Sequence, residues 1–177
     1  MHPRGGALPR VAVFGLGNTL LGDDAVGPRV VDSLEAEGAF PEHVTVQDLG
    51  TPGLDLTPYL LDIDAVLFVD AVRMGAAPGT VRVLAREELL EIPLSPRVSP
   101  HDPGVQQALQ VVELQRGQPL DAAVLGVEPV DMTLGAPLSP AVAAAIPTLK
   151  RTALEWVQAR LSQSDLPSPE EPHETSR

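Results

Sequence analysis

The run Ala65–Asp70, AVLFVD, constrains the fold more than any other stretch of the chain. It is continuous and apolar up to a terminal acid, the pattern of a strand buried on both faces rather than one half-exposed to water. Such a strand needs helices packed on both sides of its sheet. Four further short β-type runs accompany it: Val11–Phe14, Val44–Asp48, Thr80–Leu84 and Ala122–Val127. Helical patterns fall between them. Val26, Val30, Val31 and Leu34 share one face before Gly38, Leu109, Val112 and Leu114 lie in a second helix that Gly117 closes, and Ser139 can cap a last helix running to about Leu161. Strands alternating with helices predict an α/β protein, a three-layer α/β/α sandwich around a mostly parallel central sheet.

At about 150 residues per domain, 177 residues predict one domain. Residues 1–10 and 162–177 are expected to be flexible tails flanking a domain of residues 11–161, because both carry proline and polar residues without periodicity. The C-terminal stretch SQSDLPSPEEPHETSR holds four acids against one arginine, which leaves residues 1–161 with a charge of −9 of the chain's −12. This acidity argues against nucleic acid or an anionic membrane as partner. With one Trp, one Tyr and three Phe, stacking platforms for single strands are also unexpected. The absence of cysteine excludes disulfides, a thiolate nucleophile, cysteine-ligated zinc and iron–sulfur clusters. No secretory signal is visible at the N-terminus, and no apolar run approaches the roughly 18 residues of a membrane span, so a cytoplasmic protein is expected.

In an open parallel sheet, ligands bind beyond the carboxyl ends of the strands. Four acids are expected there: Asp23 and Asp24 in the turn GLGNTLLGDD, Asp48 at the end of the second strand, and Asp70 at the end of AVLFVD. Clustered carboxylates cost electrostatic energy unless a cation or protons neutralise them. Of the four histidines, His2 and His173 fall in the tails and His43 in a surface-like PEH turn, whereas His101 sits in the proline-flanked SPHDPG just before a helix. One imidazole with two carboxylates from separate loops suits a divalent metal with open coordination positions, nickel or zinc rather than calcium. Plainer roles stand beside this one. Asp23 or Asp24 could cap the helix containing Pro28, Asp70 could accept loop amides, and His101 could be a structural loop histidine.

Gly15 and Gly17 form G-x-G after a strand, which invites a dinucleotide-binding reading. Position 20 is Leu where close helix–strand packing wants Gly, and two aspartates at a helix start would repel a pyrophosphate. The motifs G-x-x-x-x-G-K-S/T, H-E-x-x-H and G-x-S-x-G are absent, which leaves P-loop, zincin and nucleophile-elbow chemistry without support.

The segment VAVFGLGNTLLGDDAVGPRVVD resembles the N-terminal signature of the hydrogenase maturation proteases, which process nickel–iron hydrogenase large subunits. QDLGTPG, VLFVDAV with APGTV after it, SPHDPGV and LGVEPVDMTLGAPLSPAV follow in family order, from about residue 11 to 160. Five blocks in order are highly specific where any one is weak. The resemblance implies that Asp24, Asp70 and His101 are the metal-binding and catalytic residues, with Asp48 supporting. Asp24 stands where some members have Glu, and Ala25 where many have Gly.

The implied activity is that of an endopeptidase that removes a C-terminal extension from a nickel–iron hydrogenase large-subunit precursor after nickel insertion. The nickel arrives with the substrate, and another divalent metal could occupy the site in isolation. The family has been grouped with aspartic peptidases, yet this chain has no D-S/T-G pair. A docked metal polarising the scissile carbonyl or a water, with a carboxylate as base, would serve instead. A nickel-sensing chaperone or checkpoint protein that cuts nothing could use the same trio, and a nucleotide-binding Rossmann-like enzyme is a third class. Asp70 and His101 are both expected at exposed loop ends, so Asp70→Asn and His101→Ala are expected to spare the fold.

Overall fold

The protein is described here by a computed structural model covering residues 8–51, 56–91 and 102–163. Five strands, β1 (Val11–Leu16), β2 (Thr45–Gly50), β3 (Ala65–Ala71), β4 (Val81–Ala85) and β5 (Asp121–Val127), form one sheet in the order β2-β1-β3-β5-β4. The β1–β2, β1–β3 and β3–β5 pairs are parallel, and only the edge strand β4 runs antiparallel to its neighbour. The helices are α1 (Val26–Ala36), a single turn α2 (Thr57–Leu60), α3 (Arg86–Glu91), α4 (Asp102–Arg116) and α5 (Pro140–Gln163). A 3₁₀ turn, Gly22–Ala25, leads directly into α1. The expected three-layer sandwich is the observed one.

Side-chain alternation along the central strands divides the core in two. In β3, Ala65, Leu67, Val69 and Ala71 pack with Val26, Val30, Val31 and Leu34 of α1 and with Leu149, Ala153 and Trp156 of α5. Val66 and Phe68 point the other way, toward Leu60 of α2, Leu89 of α3 and Ala108, Leu109 and Val112 of α4. Both faces of β3 are covered, which is why the segment lacks the apolar–polar alternation of a half-exposed strand. Leu114, in contrast, lies on the solvent side of α4. The sequence pattern gave no sign of α2 or α3, which are too short to show a helical period. Among the described residues no helix is long and apolar enough to cross a membrane.

Strand order fixes where a ligand can sit. The chain leaves β1 toward β2 on one side and returns, through α2, to β3 on the other side of β1. The crevice at this reversal lies beyond the carboxyl ends of β1 and β3, the position where open α/β sheets bind ligands.

Candidate functional site

Close backbone packing seats α1 and the turn after β1 on the strand ends. A Cβ on Gly27 would lie 2.2 Å from the Leu16 carbonyl oxygen and 2.3 Å from that of Val69, so only glycine lets the first turn of α1 rest on the ends of β1 and β3. Gly17, at φ +127°, passes over the 3₁₀ turn so closely that a Cβ would be 1.9 Å from the Asp24 carbonyl oxygen. The G-x-G turn therefore serves a helix–strand contact whose third glycine is Gly27. Leu20 is exposed and no helix begins there, since α1 starts at Val26.

Asp23 and Asp24 are both fully buried, and they bind different segments of backbone. The Asp23 carboxylate accepts the backbone N–H groups of Ser139 at 2.6 Å, Val130 at 2.8 Å and Asp131 at 3.1 Å. Burial alone pushes this carboxyl up, but the three amides outweigh it and hold Asp23 below the usual carboxylate range. Asp24 accepts the Asn18 N–H at 2.7 Å. Neither acid makes a side-chain cap to α1. The choice between them that the sequence left open is resolved in part: Asp23 is a clamp on the segment after β5.

Asp70 lies inside β3 and is only 3% exposed, which corrects the expectation of an exposed loop end. It shares its face with Val66 and Phe68, and a second layer covers it: with Val72, Leu84, Leu89, Val105, Gln106 and Val124 it lines a small cavity beneath α3 and the first turns of α4. One carboxylate oxygen accepts the N–H of Ala71 at 2.8 Å, the amide contact allowed for from the sequence. Because Gly15 pairs with Val69, Asp70 stands beside Leu16, which places both Asp70 and the turn bearing Asp24 at adjacent strand ends.

Asp48 is exposed at the end of β2 and accepts the Gly50 N–H at 2.7 Å. Gly50 in turn accepts the Gly17 N–H at 2.8 Å, which ties the Asp48 turn to the Asp24 turn. His101 lies outside the described residues; α4 begins at the next residue, Asp102. Among the described residues, no three His, Asp or Glu side chains converge as a metal cage. Glu128, which sequence reasoning missed, is buried just past β5 and accepts the N–H groups of Met74 at 2.6 Å and Ala76 at 3.1 Å, fixing the β3–β4 loop. Its signal was available: an acid directly after an apolar strand, as at Asp70.

A mostly parallel sheet whose connections reverse beside β1, with buried Asp24 and Asp70 near the carboxyl ends of β1 and β3, defines the class: an open α/β protein of the kind that binds ligands at the carboxyl edge of its sheet. The family model for hydrogenase maturation protease matches residues 28–156, a span that includes Asp48, Asp70 and His101. The Hydrogenase 2 maturation protease of Escherichia coli (strain K12) is 34% identical over 156 residues, covering 88% of this chain and 92% of the relative. The hydrogenase expression/formation protein HoxM of Azotobacter vinelandii is 31% identical over 153 residues, covering 86% of this chain and 74% of the relative. Among solved structures, the hydrogenase maturating endopeptidase HybD from E. coli superposes with a TM-score of 0.74 at 29% identity, covering 85% of this chain and 93% of that one. This chain belongs to the hydrogenase maturation protease family, and it is a peptidase.

Proposed function

We propose that the protein trims a C-terminal extension from a nickel–iron hydrogenase large-subunit precursor, and does so only once the precursor carries its nickel. The observation that carries this reading is that two buried carboxylates, Asp70 in β3 and Asp24 in the turn that follows β1, lie near the carboxyl ends of adjacent strands at the switch point. His101 immediately precedes α4, whose first turns reach the cavity that Asp70 lines, and it is the third member of the set. Two carboxylates and an imidazole are donors that suit a borderline divalent ion. They would engage positions left open on the substrate-borne nickel, which distinguishes loaded from empty precursor. The nickel supplies Lewis-acid polarisation when bound. Asp24 and Asp70 hold the ion and orient the peptide bond beside it, a carboxylate accepts the proton of the attacking water, and the covering layer of α3 and α4 limits water access. Asp48, exposed on its turn beside Gly17, supports the rim. The absence of a D-S/T-G pair sets this chemistry apart from that of paired-aspartate peptidases, despite the family's grouping with them.

The test is intact-mass spectrometry of a candidate precursor incubated with the protein, nickel-loaded and nickel-free side by side, with His101→Ala as control. Release of a C-terminal peptide only with nickel, and only with His101 present, is the expected result. Cleavage of nickel-free precursor, or undiminished cleavage by His101→Ala, overturns the nickel-dependent reading. Nickel bound at the trio without peptide release is the result expected of a checkpoint protein.

A further inference from the structure

On the turn that carries Asp24 and on the segment after β5 that is fastened to it, three large apolar side chains face solvent: Leu20 is 64% exposed, Leu134 71% and Val130 50%. Loose chain does not explain their exposure. The Gly135 N–H donates to the Leu20 carbonyl at 2.8 Å, and the Asp23 N–H donates to that of Asp131 at 2.8 Å. The buried Asp23 carboxylate adds its bonds to Val130, Asp131 and Ser139. Gly22, at φ +51°, allows the two segments to touch, since a Cβ there would sit 2.5 Å from the Asp131 carbonyl oxygen. Leu20 is also joined to the site itself. Asn18 accepts the Leu20 N–H at 2.9 Å through its side-chain oxygen and donates its own N–H to the Asp24 carboxylate at 2.7 Å.

A pinned apolar surface sharing a hydrogen-bonded turn with Asp24 is pre-organised for a partner, because its ordering is complete before binding. The partner follows from the activity. A peptidase brings a polypeptide across the carboxyl edge of this sheet, and apolar side chains are what Leu20 and Leu134 can bury. We propose that Leu20, Val130 and Leu134 form the docking surface for an apolar stretch of the precursor next to the bond that is cut. This rests on the proteolytic reading given above.

The test compares Leu20→Ser, Leu134→Ser and the double variant with the unaltered chain. Leu114→Ser, which alters an 84% exposed leucine on the solvent side of α4, is the control. KM and kcat are measured for processing of nickel-loaded precursor, together with the Kd of the precursor and sedimentation of each protein alone. KM and Kd rising about tenfold or more per substitution, with kcat within about twofold and the control unchanged, is the expected result. Processing with KM and Kd unchanged in the double variant overturns the surface and leaves the proteolytic reading standing. Binding without cleavage removes the proteolytic reading and leaves the Kd values to judge the surface. No binding by the unaltered chain overturns both. A homodimer that the double variant dissolves, with Kd for precursor unchanged, assigns the face to a second copy and overturns the proposal.

Discussion

The Asp23 carboxylate takes the Ser139 backbone N–H at 2.6 Å, joining points 116 residues apart in the chain. With Val130 and Asp131 also bound to it, one buried side chain fastens the segment after β5 to the turn that carries Asp24. Adjacent identical residues thus bind different segments: Asp23 takes amides of the segment after β5, and Asp24 takes the Asn18 amide of its own turn.

Asp23→Ala would leave three amides without their acceptor. Each buried unsatisfied group costs about 1–3 kcal/mol, so a loss of at least about 3 kcal/mol is expected by urea unfolding at pH 7. The pH dependence follows from the lowered carboxyl. A depressed folded-state value contributes stability that is fully present above the unfolded value, about 3.9, and is lost as pH falls through the lower folded value. The stability gap between the unaltered chain and Asp23→Asn is therefore expected to be constant from pH 7 to about 5 and to shrink below about 4. A gap that widens on acidification would contradict the clamp.

Gly27→Ala tests the seat of α1. The added Cβ would meet the Leu16 and Val69 carbonyl oxygens at 2.2 and 2.3 Å, both of them backbone atoms in fully buried strands that cannot step aside. A destabilisation of about 3 kcal/mol or more, or failure to fold, is expected. Thermal unfolding would measure it, with Gly38→Ala as a comparison whose cost comes from its φ of +59° and not from contact.

The architecture was legible because β3 is apolar on both faces and because α1 and α4 are each followed by a glycine, Gly38 and Gly117. The five strands fall within a residue or two of the sequence pattern. Burial of Asp70 was not legible, since it depends on α3 and α4 closing over the strand end, a contact between segments far apart in the chain. The division between Asp23 and Asp24 was hidden for the same reason: the partners of Asp23 lie more than 100 residues downstream. Gly27 could have been suspected from its place in the first turn of an apolar helix, where glycine is unfavourable unless close packing requires it.

Arg86 and Glu113 offer a change in stability remote from the chemistry. Their bonds measure 2.5 and 2.6 Å, and Glu113 also accepts the Leu120 N–H at 3.1 Å. The Arg86 guanidinium is the main cause holding the Glu113 carboxyl below its usual range. Leu120 precedes β5 and Arg86 follows the antiparallel β4, so the group sits at the amino end of the parallel sheet, opposite Asp70. Glu113→Gln is expected to cost about 1–3 kcal/mol and to leave kcat/KM of the folded protein unchanged.

Asp24→Asn and Asp70→Asn should separate function from folding in the opposite sense. Both replacements keep an oxygen that can accept the observed N–H, from Asn18 and Ala71 respectively, and change volume little. Each removes a charge that a metal-bearing substrate would meet. Replacing groups that merely support a metal ligand costs about 10–100-fold, so loss of a direct ligand should cost at least about 100-fold in processing rate. Stability should fall by less than in Asp23→Ala, because the amide keeps the size of the carboxylate and an acceptor oxygen for the observed N–H. Activity assays and urea curves on the same preparations check both halves. If stability falls by several kcal/mol while the remaining folded protein keeps its rate, Asp70 is a strut and the catalytic assignment fails.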